Sequence, residues 1–193
     1  DCSGLVQVVA DPAQVRELGL KLEDAVEIRG RVRAEPRSQA GFEVDLLGIQ
    51  VLNPASTSLP FTSSGNLDEV GADVILDHRP LSLRNPKIGE IFKVQALILE
   101  GFRSYLRSQR FTEIVSSKIV ASGTEGGTNL FEIKYFDRAA YLAQSPQFFK
   151  EHGVAGFERV FETGHVYRAE PHATSRHLTE YFSLDLEMGF IDG

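Results

Sequence analysis

The sequence near the end of the chain alternates between apolar residues and residues that can take part in chemistry. The apolar set is Phe182, Leu184, Leu186, Met188 and Phe190. The set between them is Tyr181, Ser183, Asp185, Glu187 and Gly189. Because successive side chains of a β-strand point to opposite faces of its sheet, this pattern predicts one buried face and one face rich in functional groups.

A second strand is predicted just before this one, over residues 160–170, with Arg168 and Glu170 on one face. If the two strands pair as a hairpin, both residues join the functional face. The loop between the strands adds three polar side chains: His172, Arg176 and His177. Arginine binds phosphate in a bidentate manner, an aromatic ring stacks on a base, and carboxylates bind a cation or an amino group. The surface therefore suits a nucleotide, and the alternative is a solvated sheet face with incidental salt bridges.

A short helix is predicted around residues 145–150, because Ser145 suits the N-cap and Pro146 the first helical position. Gln147 and Lys150 are then three residues apart on one helix face, where together they could hold a small carboxylate. Two apolar residues are expected to turn toward the core: Phe148 and Phe149. The alternative is a capped helix with an ordinary polar face.

A glycine-rich segment covers residues 122–129. It lacks the Gly-Lys-Ser/Thr ending of a phosphate-binding P-loop. The functional interpretation is a mobile lid whose Glu125 closes over a ligand, and the alternative is a flexible turn.

A local basic stripe lies in the first part of the chain, where Arg29, Arg31 and Arg33 share one face of a predicted strand and Arg37 follows in the next loop. Such a stripe could contact nucleic-acid phosphates. A solvated strand face explains it equally well.

The composition is typical of a soluble globular protein, with 42% hydrophobic and 24% charged residues among 193. No apolar run approaches the ~20 residues of a membrane helix, and the first residues do not predict a secretory signal. A single cysteine excludes an internal disulfide, so a cytoplasmic location and no membrane partner are expected. The net charge of −7 requires any nucleic-acid partner to bind a local patch. The histidines match no zinc-binding spacing, so no metal site is predicted.

The elements that would position these groups form an α+β chain. Residues 1–53 read as short strands and one helix, which suits part of a barrel of the oligonucleotide-binding (OB) type. Residues 54–85 are rich in Pro, Ser, Gly and Asn and are interpreted as a hinge or linker. From residue 86 a long helix is predicted, with Asn85 as N-cap and Pro86 first, followed by a strand over residues 111–120. Both ends resemble cut points within a longer protein.

Several stretches together resemble the class II aminoacyl-tRNA synthetases, specifically the aspartate enzymes of archaeal, non-discriminating type. They are TEGGTNLF at 124–131, YLAQSPQ at 141–147 with Lys150, YRAE at 167–170, TSRHL at 174–178 and LDLEM at 184–188. GLVQV at 4–8 and GFEV at 41–44 fit the N-terminal barrel of that family. The resemblance implies a partial OB-type anticodon-binding domain at 1–53, a hinge at 54–85, and part of an antiparallel-sheet catalytic domain at 86–193.

The resemblance also implies roles for individual residues. In ATP binding, Arg168 would bind the α-phosphate and stabilise charge during attack by the aspartate carboxylate. The other implied ATP-binding residues are Glu170, Arg176, His177 and Tyr181, the last stacking on adenine. Lys150 and Gln147 would hold the aspartate side chain, with Ser145 nearby. Two carboxylates would receive the substrate ammonium group: Glu125 and Asp185.

ATP, Mg²⁺, L-aspartate and tRNA(Asp) are the ligands and partners that the resemblance implies, and the family is expected to form a homodimer. Arg29, Arg31 and Arg33 would contact tRNA. Gln39 lies near the position of a lysine that helps some archaeal enzymes reject tRNA(Asn), so charging of tRNA(Asn) stays an open alternative.

The sequence departs from the family pattern in three ways. Ser116-Ser117 stands where the first motif has a proline that helps to build the dimer interface, and Pro171 replaces a charged residue. The third motif, with its further ATP-binding arginine and much of the Mg²⁺ site, is absent, so the segment alone is expected to be inactive. Other interpretations stay open: an asparagine–tRNA ligase, a non-catalytic RNA-binding module of the OB type, and a structural paralogue without ligase activity.

Overall fold

The computed structural model describes residues 4–55, 58–124, 129–171, 174 and 177–191. The chain forms two compact units, Asp1–Gly89 and Glu90–Gly193. Both contain strands and helix, and antiparallel pairing predominates in their sheets, which confirms the predicted α+β class. The domain and hinge bounds given above stay predictions.

The first unit contains a three-stranded sheet in the order β1–β3–β2. Its elements in chain order are β1 (Gln7–Val9), α1 (Pro12–Glu17), β2 (Ala25–Ala34) and β3 (Phe42–Asn53). β1 runs parallel to β3 and β2 runs antiparallel to it. Asp11 caps α1 by accepting a hydrogen bond from the Ala13 N–H at 2.7 Å. Over the described residues the sheet is open rather than a closed barrel.

The segment predicted as a hinge, residues 54–85, contains two short helices that the composition does not indicate. They are α2 (Ala72–Asp77) and α3 (Arg79–Ser82). The buried amide of Asn85 donates hydrogen bonds to the Ser63 and Gly65 carbonyl oxygens at 2.8 and 3.0 Å. Side-chain bonds of this kind order a Pro- and Ser-rich segment without a periodic pattern, which is why periodicity does not reveal them.

The long helix α4 (Pro86–Ser108) confirms the strongest helical prediction. Its N-terminus is capped as expected, because the Lys87 N–H donates to the Asn85 side-chain oxygen at 3.1 Å. Although α4 has 23 residues, neither it nor any other helix in the described part of the chain is apolar enough to cross a membrane.

The predicted strand at residues 111–120 is wrong as a single element. The structure has two short strands there, β4 (Thr112–Glu113) and β5 (Ile119–Val120), in different sheets. Between these two strands the chain leaves the sheet that contains β4. There the Ser116 N–H donates to a carboxylate oxygen of Glu162 at 3.2 Å. The backbone pairing of β4 thus ends where a side chain distant in sequence accepts a backbone hydrogen bond. The local sequence does not predict this contact.

The strands of the second unit form two three-stranded sheets. One has the order β4–β8–β9 and the other β5–β7–β6. The remaining elements are β6 (Glu132–Tyr135), β7 (Arg138–Leu142), α5 (Gln147–Phe157), β8 (Arg159–Tyr167) and β9 (Glu180–Met188). β8 and β9 pair antiparallel over their whole length, which confirms the predicted hairpin.

The core of the second unit is centred on β8. Val160, Phe161 and Val166 are almost fully buried, and the Phe161 ring meets the Phe102 ring of α4 edge-on at 5.8 Å. The apolar face predicted for β9 is only partly covered within the described residues, since Leu184 and Leu186 are exposed. Alternation assigns these two residues to a face of the sheet but does not say what covers that face.

Candidate functional site

The functional face predicted for the hairpin is present in the structure. Across the two strands, Glu162 lies opposite Asp185 and Gly164 lies opposite Ser183. Directly opposed residues of an antiparallel pair share one face, so the polar residues of β9 form one surface with these β8 partners. Arg168 lies just beyond the end of β8, which is shorter than predicted, and its N–H donates to the Thr179 carbonyl oxygen at 2.9 Å.

One cavity gathers most of the residues that were predicted to bind ATP. It measures about 490 Å³ and is lined by Arg168, Glu170, His177, Leu178 and Tyr181. The Arg168 guanidinium carbon lies 5.9 Å from the centre of the Tyr181 ring, within the range of a cation–π contact. This volume is in the range of ligand-binding clefts, and a guanidinium beside an aromatic ring suits a phosphate attached to a planar base.

Three residues that the sequence analysis singled out lie outside the described residues. They are Glu125 of the predicted lid, and His172 and Arg176 of the loop between β8 and β9. The described part of that loop includes His177, whose Nδ1 lies 2.8 Å from the Thr174 hydroxyl oxygen.

The second centre is Lys150 in α5. Its side chain is only 6% exposed, and its Nζ lies 3.3 Å from Asp185 Oδ1 and 3.5 Å from Glu187 Oε2. The Gln147 amide nitrogen donates to Glu187 at 3.3 Å and to Glu151 at 2.9 Å. The polar helix face and the polar strand face therefore meet, and Lys150 and Gln147 share one strand carboxylate, that of Glu187.

The turn before α5 is buried and closely held. The Ser145 N–H donates to the Thr124 hydroxyl at 3.2 Å, and the Ser145 hydroxyl accepts the Gln147 N–H at 3.2 Å. The helix begins at Gln147, one residue later than predicted, so Pro146 occupies the cap position. The expectation for the two phenylalanines is wrong: Phe148 and Phe149 are exposed, and Lys150 is the buried residue. The two strand carboxylates make this possible, because a buried ammonium needs charged partners.

The electrostatics of this centre favour a ligand with charges of both signs. Asp185 also accepts a hydrogen bond from the Ser183 hydroxyl. One ammonium among two carboxylates leaves a local excess of negative charge, which suits a ligand ammonium. Because the Lys150 ammonium has three donors, it can serve both carboxylates and still bind a ligand carboxylate.

Glu187 is a residue to which the sequence prediction gave no role. It lies on the predicted functional face, two residues after Asp185, and contacts both Lys150 and Gln147. Its position in the alternation and its place in the LDLEM stretch were the signals available, and neither distinguished it from a solvated glutamate.

The arginine stripe of β2 is less uniform than its sequence indicates. Arg33 pairs with the buried Glu43 and lies 3.5 Å from Asp45, while Arg29 lies 3.4 Å from Glu27. Arg31 is exposed and has no carboxylate partner among the residues that the structure describes.

Two neighbours of the stripe lie in the turn between β2 and β3. Gln39 is exposed there. The Arg37 side chain donates hydrogen bonds to Glu35 and so lowers the pKa of that carboxyl. In the described ranges, no group of three His, Cys, Asp or Glu residues is arranged to hold a metal ion.

Comparison with known proteins relates this geometry to one family. Residues 71–193 match the family described as tRNA synthetases class II (D, K and N). The chain is 46% identical over 195 residues to the aspartate–tRNA(Asp/Asn) ligase of Deinococcus radiodurans, covering 100% of this chain and 43% of that protein. It is 42% identical to the aspartate–tRNA(Asp) ligase of Pyrococcus horikoshii, covering 100% of this chain and 45% of that protein.

Two solved structures are also similar. Asparaginyl-tRNA synthetase from Pyrococcus horikoshii, complexed with asparaginyl-adenylate, matches with a TM-score of 0.88 and 32% identity, over 100% of this chain and 45% of the other. A putative aspartyl-tRNA synthetase from Leishmania major matches with a TM-score of 0.86 and 32% identity, over 100% of this chain and 41% of the other. The chain spans less than half the length of the curated relatives it matches.

Proposed function

The chain belongs to the class II tRNA synthetases (D, K and N), and from that premise we propose that it carries the amino-acid and ATP subsites of an aspartate–tRNA ligase. The proposed reaction activates L-aspartate with ATP and transfers it to tRNA(Asp). tRNA(Asn) is the second acceptor to test, because relatives of both kinds, tRNA(Asp/Asn) and tRNA(Asp) ligases, are similar to this chain.

The position of Lys150 is the observation that supports aspartate most strongly. A buried ammonium held by Asp185 and Glu187 cannot turn away to solvent, so its remaining donor is directed to a bound ligand. In the proposal, Lys150 and Gln147 hold the side-chain carboxylate of aspartate. The substrate ammonium is proposed to bind two carboxylates, those of Asp185 and Glu125, and Ser145 is proposed to lie beside the substrate.

The cavity around Arg168 supports a nucleotide subsite. In the proposal, Arg168 binds the α-phosphate, Tyr181 stacks on the base, and Glu170, His177 and Arg176 complete the site. The aspartate α-carboxylate attacks the α-phosphorus, a new C(=O)O–P bond forms, and the bond to the leaving pyrophosphate breaks. Arg168 stabilises the negative charge that develops on the phosphoryl oxygens.

Mg²⁺ would neutralise part of the triphosphate charge in this reaction. The described residues contain no cluster of three metal-binding side chains, so no Mg²⁺ ligand is proposed among them.

The first unit is proposed to bind tRNA as part of an OB-type barrel. Two observations support tRNA binding by this unit. One is the mixed three-stranded sheet with a helix after the first strand, and the other is the exposure of Arg29 and Arg31 on β2. Gln39 lies in the adjoining turn and is proposed to affect which tRNA is accepted. Arg33 contributes less to phosphate binding in this proposal, because Glu43 and Asp45 already neutralise it. A cytoplasmic homodimer completes the proposal.

An asparagine–tRNA ligase is the second candidate. Glu187 favours it, because a carboxylate beside Gln147 could accept a hydrogen bond from a substrate amide. Lys150 favours aspartate, because an ammonium pairs more strongly with a carboxylate than with an amide.

Pyrophosphate exchange by the complete protein tests the proposal. We expect exchange into ATP that depends on L-aspartate and is much weaker with L-asparagine at equal concentration. Charging assays with purified tRNA(Asp) and tRNA(Asn) then identify the acceptors. Exchange driven by asparagine and not by aspartate would replace the proposal with its alternative, and no exchange with either would refute both.

A further inference from the structure

A second lysine–carboxylate pair includes Glu162, which lies on the functional face opposite Asp185. Glu162 of β8 is 3% exposed, and its Oε1 accepts hydrogen bonds from Lys118 Nζ at 2.7 Å and from the Ser116 N–H at 3.2 Å. Lys118 Nζ also donates to the Ser116 hydroxyl at 3.1 Å. Glu162 therefore fixes the segment that connects β4 to β5.

Stability alone does not explain this pair. Within the described residues, the buried Oε2 of Glu162 has no hydrogen-bond partner. Desolvating two charges is costly, and apolar residues of similar size often replace a buried ion pair without loss of stability. An ion pair with one unsatisfied buried oxygen therefore adds little stability to a sheet. The segment that the pair holds in place offers another reason for its presence.

The pair is connected to the amino-acid centre by two routes. The first is across the sheet, where Glu162 lies directly opposite Asp185, so each of two neighbouring carboxylates has its own lysine. The second is through the backbone, where the Lys118 carbonyl oxygen accepts the Ala143 N–H at 3.0 Å. Ala143 begins the buried turn that leads through Ser145 into α5.

We propose that Lys118 and Glu162 are positioning residues for the amino-acid subsite, an inference that rests on the proposed function. Glu162 holds Lys118, and the Lys118 carbonyl holds the turn from which α5 projects Lys150. The Lys118 ammonium also balances the Glu162 charge beside Asp185, so that Asp185 stays available to Lys150. Neither residue of the pair touches the reacting atoms.

The test uses the complete protein and a double substitution, Lys118→Met with Glu162→Leu. Removing both charges together avoids leaving one buried ion unpaired, so we expect thermal unfolding close to that of the wild type. We expect the KM for aspartate to rise about tenfold or more, with a kcat changed much less, because a displaced subsite weakens substrate and transition state alike. The KM for ATP should change less than about twofold, since Arg168 is held by the β8–β9 pairing.

Two further variants make the experiment specific. Glu162→Gln keeps the size and the acceptor for the Ser116 N–H and removes only the charge, so a smaller rise in the KM for aspartate is expected. It also serves as the test if the double variant does not fold. Lys93→Met is the matched control, because Lys93 pairs with Glu90 at 2.6 Å on an exposed helix face and should change neither KM.

The possible outcomes separate the two claims. A folded double variant with an unchanged KM for aspartate would overturn the positioning role. Equal rises in the KM values for aspartate and ATP would overturn it as well, since they indicate a general loss of structure. A wild-type protein that catalyses no aspartate-dependent exchange would refute the proposed function, and this inference with it.

Discussion

The two units of the molecule use basic side chains in opposite ways. In the second unit, Lys150 is buried and held by Asp185 and Glu187. In the first unit, Arg29 and Arg31 are exposed on a strand, and the partner of Arg29 is itself half exposed. A buried cation with fixed partners can select one small ligand by geometry, whereas an exposed stripe can only attract a polyanion.

Carboxylates show the same contrast. Glu113 of β4 is partly buried. Burial raises the pKa of its carboxyl, but hydrogen bonds and charge from Arg103 and Arg107 outweigh burial and lower the pKa below its usual value. Glu27 of β2 pairs with Arg29 at 3.4 Å with both side chains in solvent. The burial of an ion pair, and not only its residue types, therefore sets its contribution to the stability of the fold. Substitutions at the two kinds of pair test this conclusion.

The largest effect is expected from Lys150→Met. The substitution keeps the length of the side chain, leaves Asp185 and Glu187 without their cation, and removes the ammonium that is proposed to bind the aspartate side chain. We expect aspartate-dependent pyrophosphate exchange by the complete protein to fall about 10²- to 10³-fold in kcat/KM. The measurement is exchange kinetics alongside circular dichroism and thermal unfolding.

The companion variant Arg168→Lys distinguishes the two subsites. Because lysine cannot reproduce the planar fork of arginine, the KM for ATP should rise while the KM for aspartate changes little. If Lys150→Met and Arg168→Lys raised both KM values equally, the two cations would not serve separate ligands, and the assignment of subsites would be wrong.

A smaller effect, on stability, is expected from Glu113→Gln. The pKa of Glu113 is lowered in the folded protein, so its contribution to stability is present above the usual value of 4.5 and disappears as the pH falls through the folded pKa. At pH 7 the variant should lose about 1–2 kcal/mol, because its charge-assisted bonds to Arg103 and Arg107 are gone. Thermal unfolding of wild type and variant should converge as the pH is lowered below 4.5.

Glu27→Gln is the control for that experiment, since it removes the exposed pair with Arg29 in the first unit. No change in unfolding temperature is expected at any pH in the series. A loss at Glu27 as large as that at Glu113 would contradict the role given to burial.

The smallest effect is expected from Arg31→Ala in the first unit. If Arg31 contacts a phosphate as proposed, its removal should weaken tRNA binding several-fold and reduce the slope of log K against log salt by about 1. Stability should be unchanged, because Arg31 has no carboxylate partner among the described residues. Binding is measured by filter retention or anisotropy over a salt series.

Arg33→Ala should show the reverse pattern. Arg33 neutralises the buried Glu43, so its loss should lower the unfolding temperature and affect tRNA binding less than Arg31→Ala does. Equal effects of the two substitutions on the salt slope would show that ion pairing within the strand does not limit phosphate contact.

Much of the fold was predictable where a local rule operates. The cap at Asn85 and the helical spacing after Pro86 predicted α4, and strict alternation predicted β9 and the hairpin. The elements that were missed, α2, α3 and β6, are short and lack a periodic pattern. Residues 111–120 were predicted as one strand because no break is visible in their sequence. In the structure they form two strands, and the backbone between them is hydrogen-bonded to the side chain of Glu162, which is distant in sequence.

The residue types of the candidate site were predictable from the sequence, but the pairs that these residues form were not. Spacing put Gln147 and Lys150 on one helix face, and the structure agrees. Spacing could not show that Glu187 would join them, or that Lys150 would be buried while Phe148 is exposed. These facts depend on which helix face meets which strand face, and that choice is made by residues far apart in the chain.

By itself, the sequence determined the local structure and the chemistry available: capped α4, the alternating β9, and a motif order that indicates one synthetase family. Only the tertiary structure decided the pairings, placing Lys150 against Asp185 and Glu187, and Lys118 against Glu162. The physical reason is the separation along the chain over which each effect acts. Caps and alternation act over a few residues, whereas a buried charge must find its counter-ion across 35 to 44 positions of the chain.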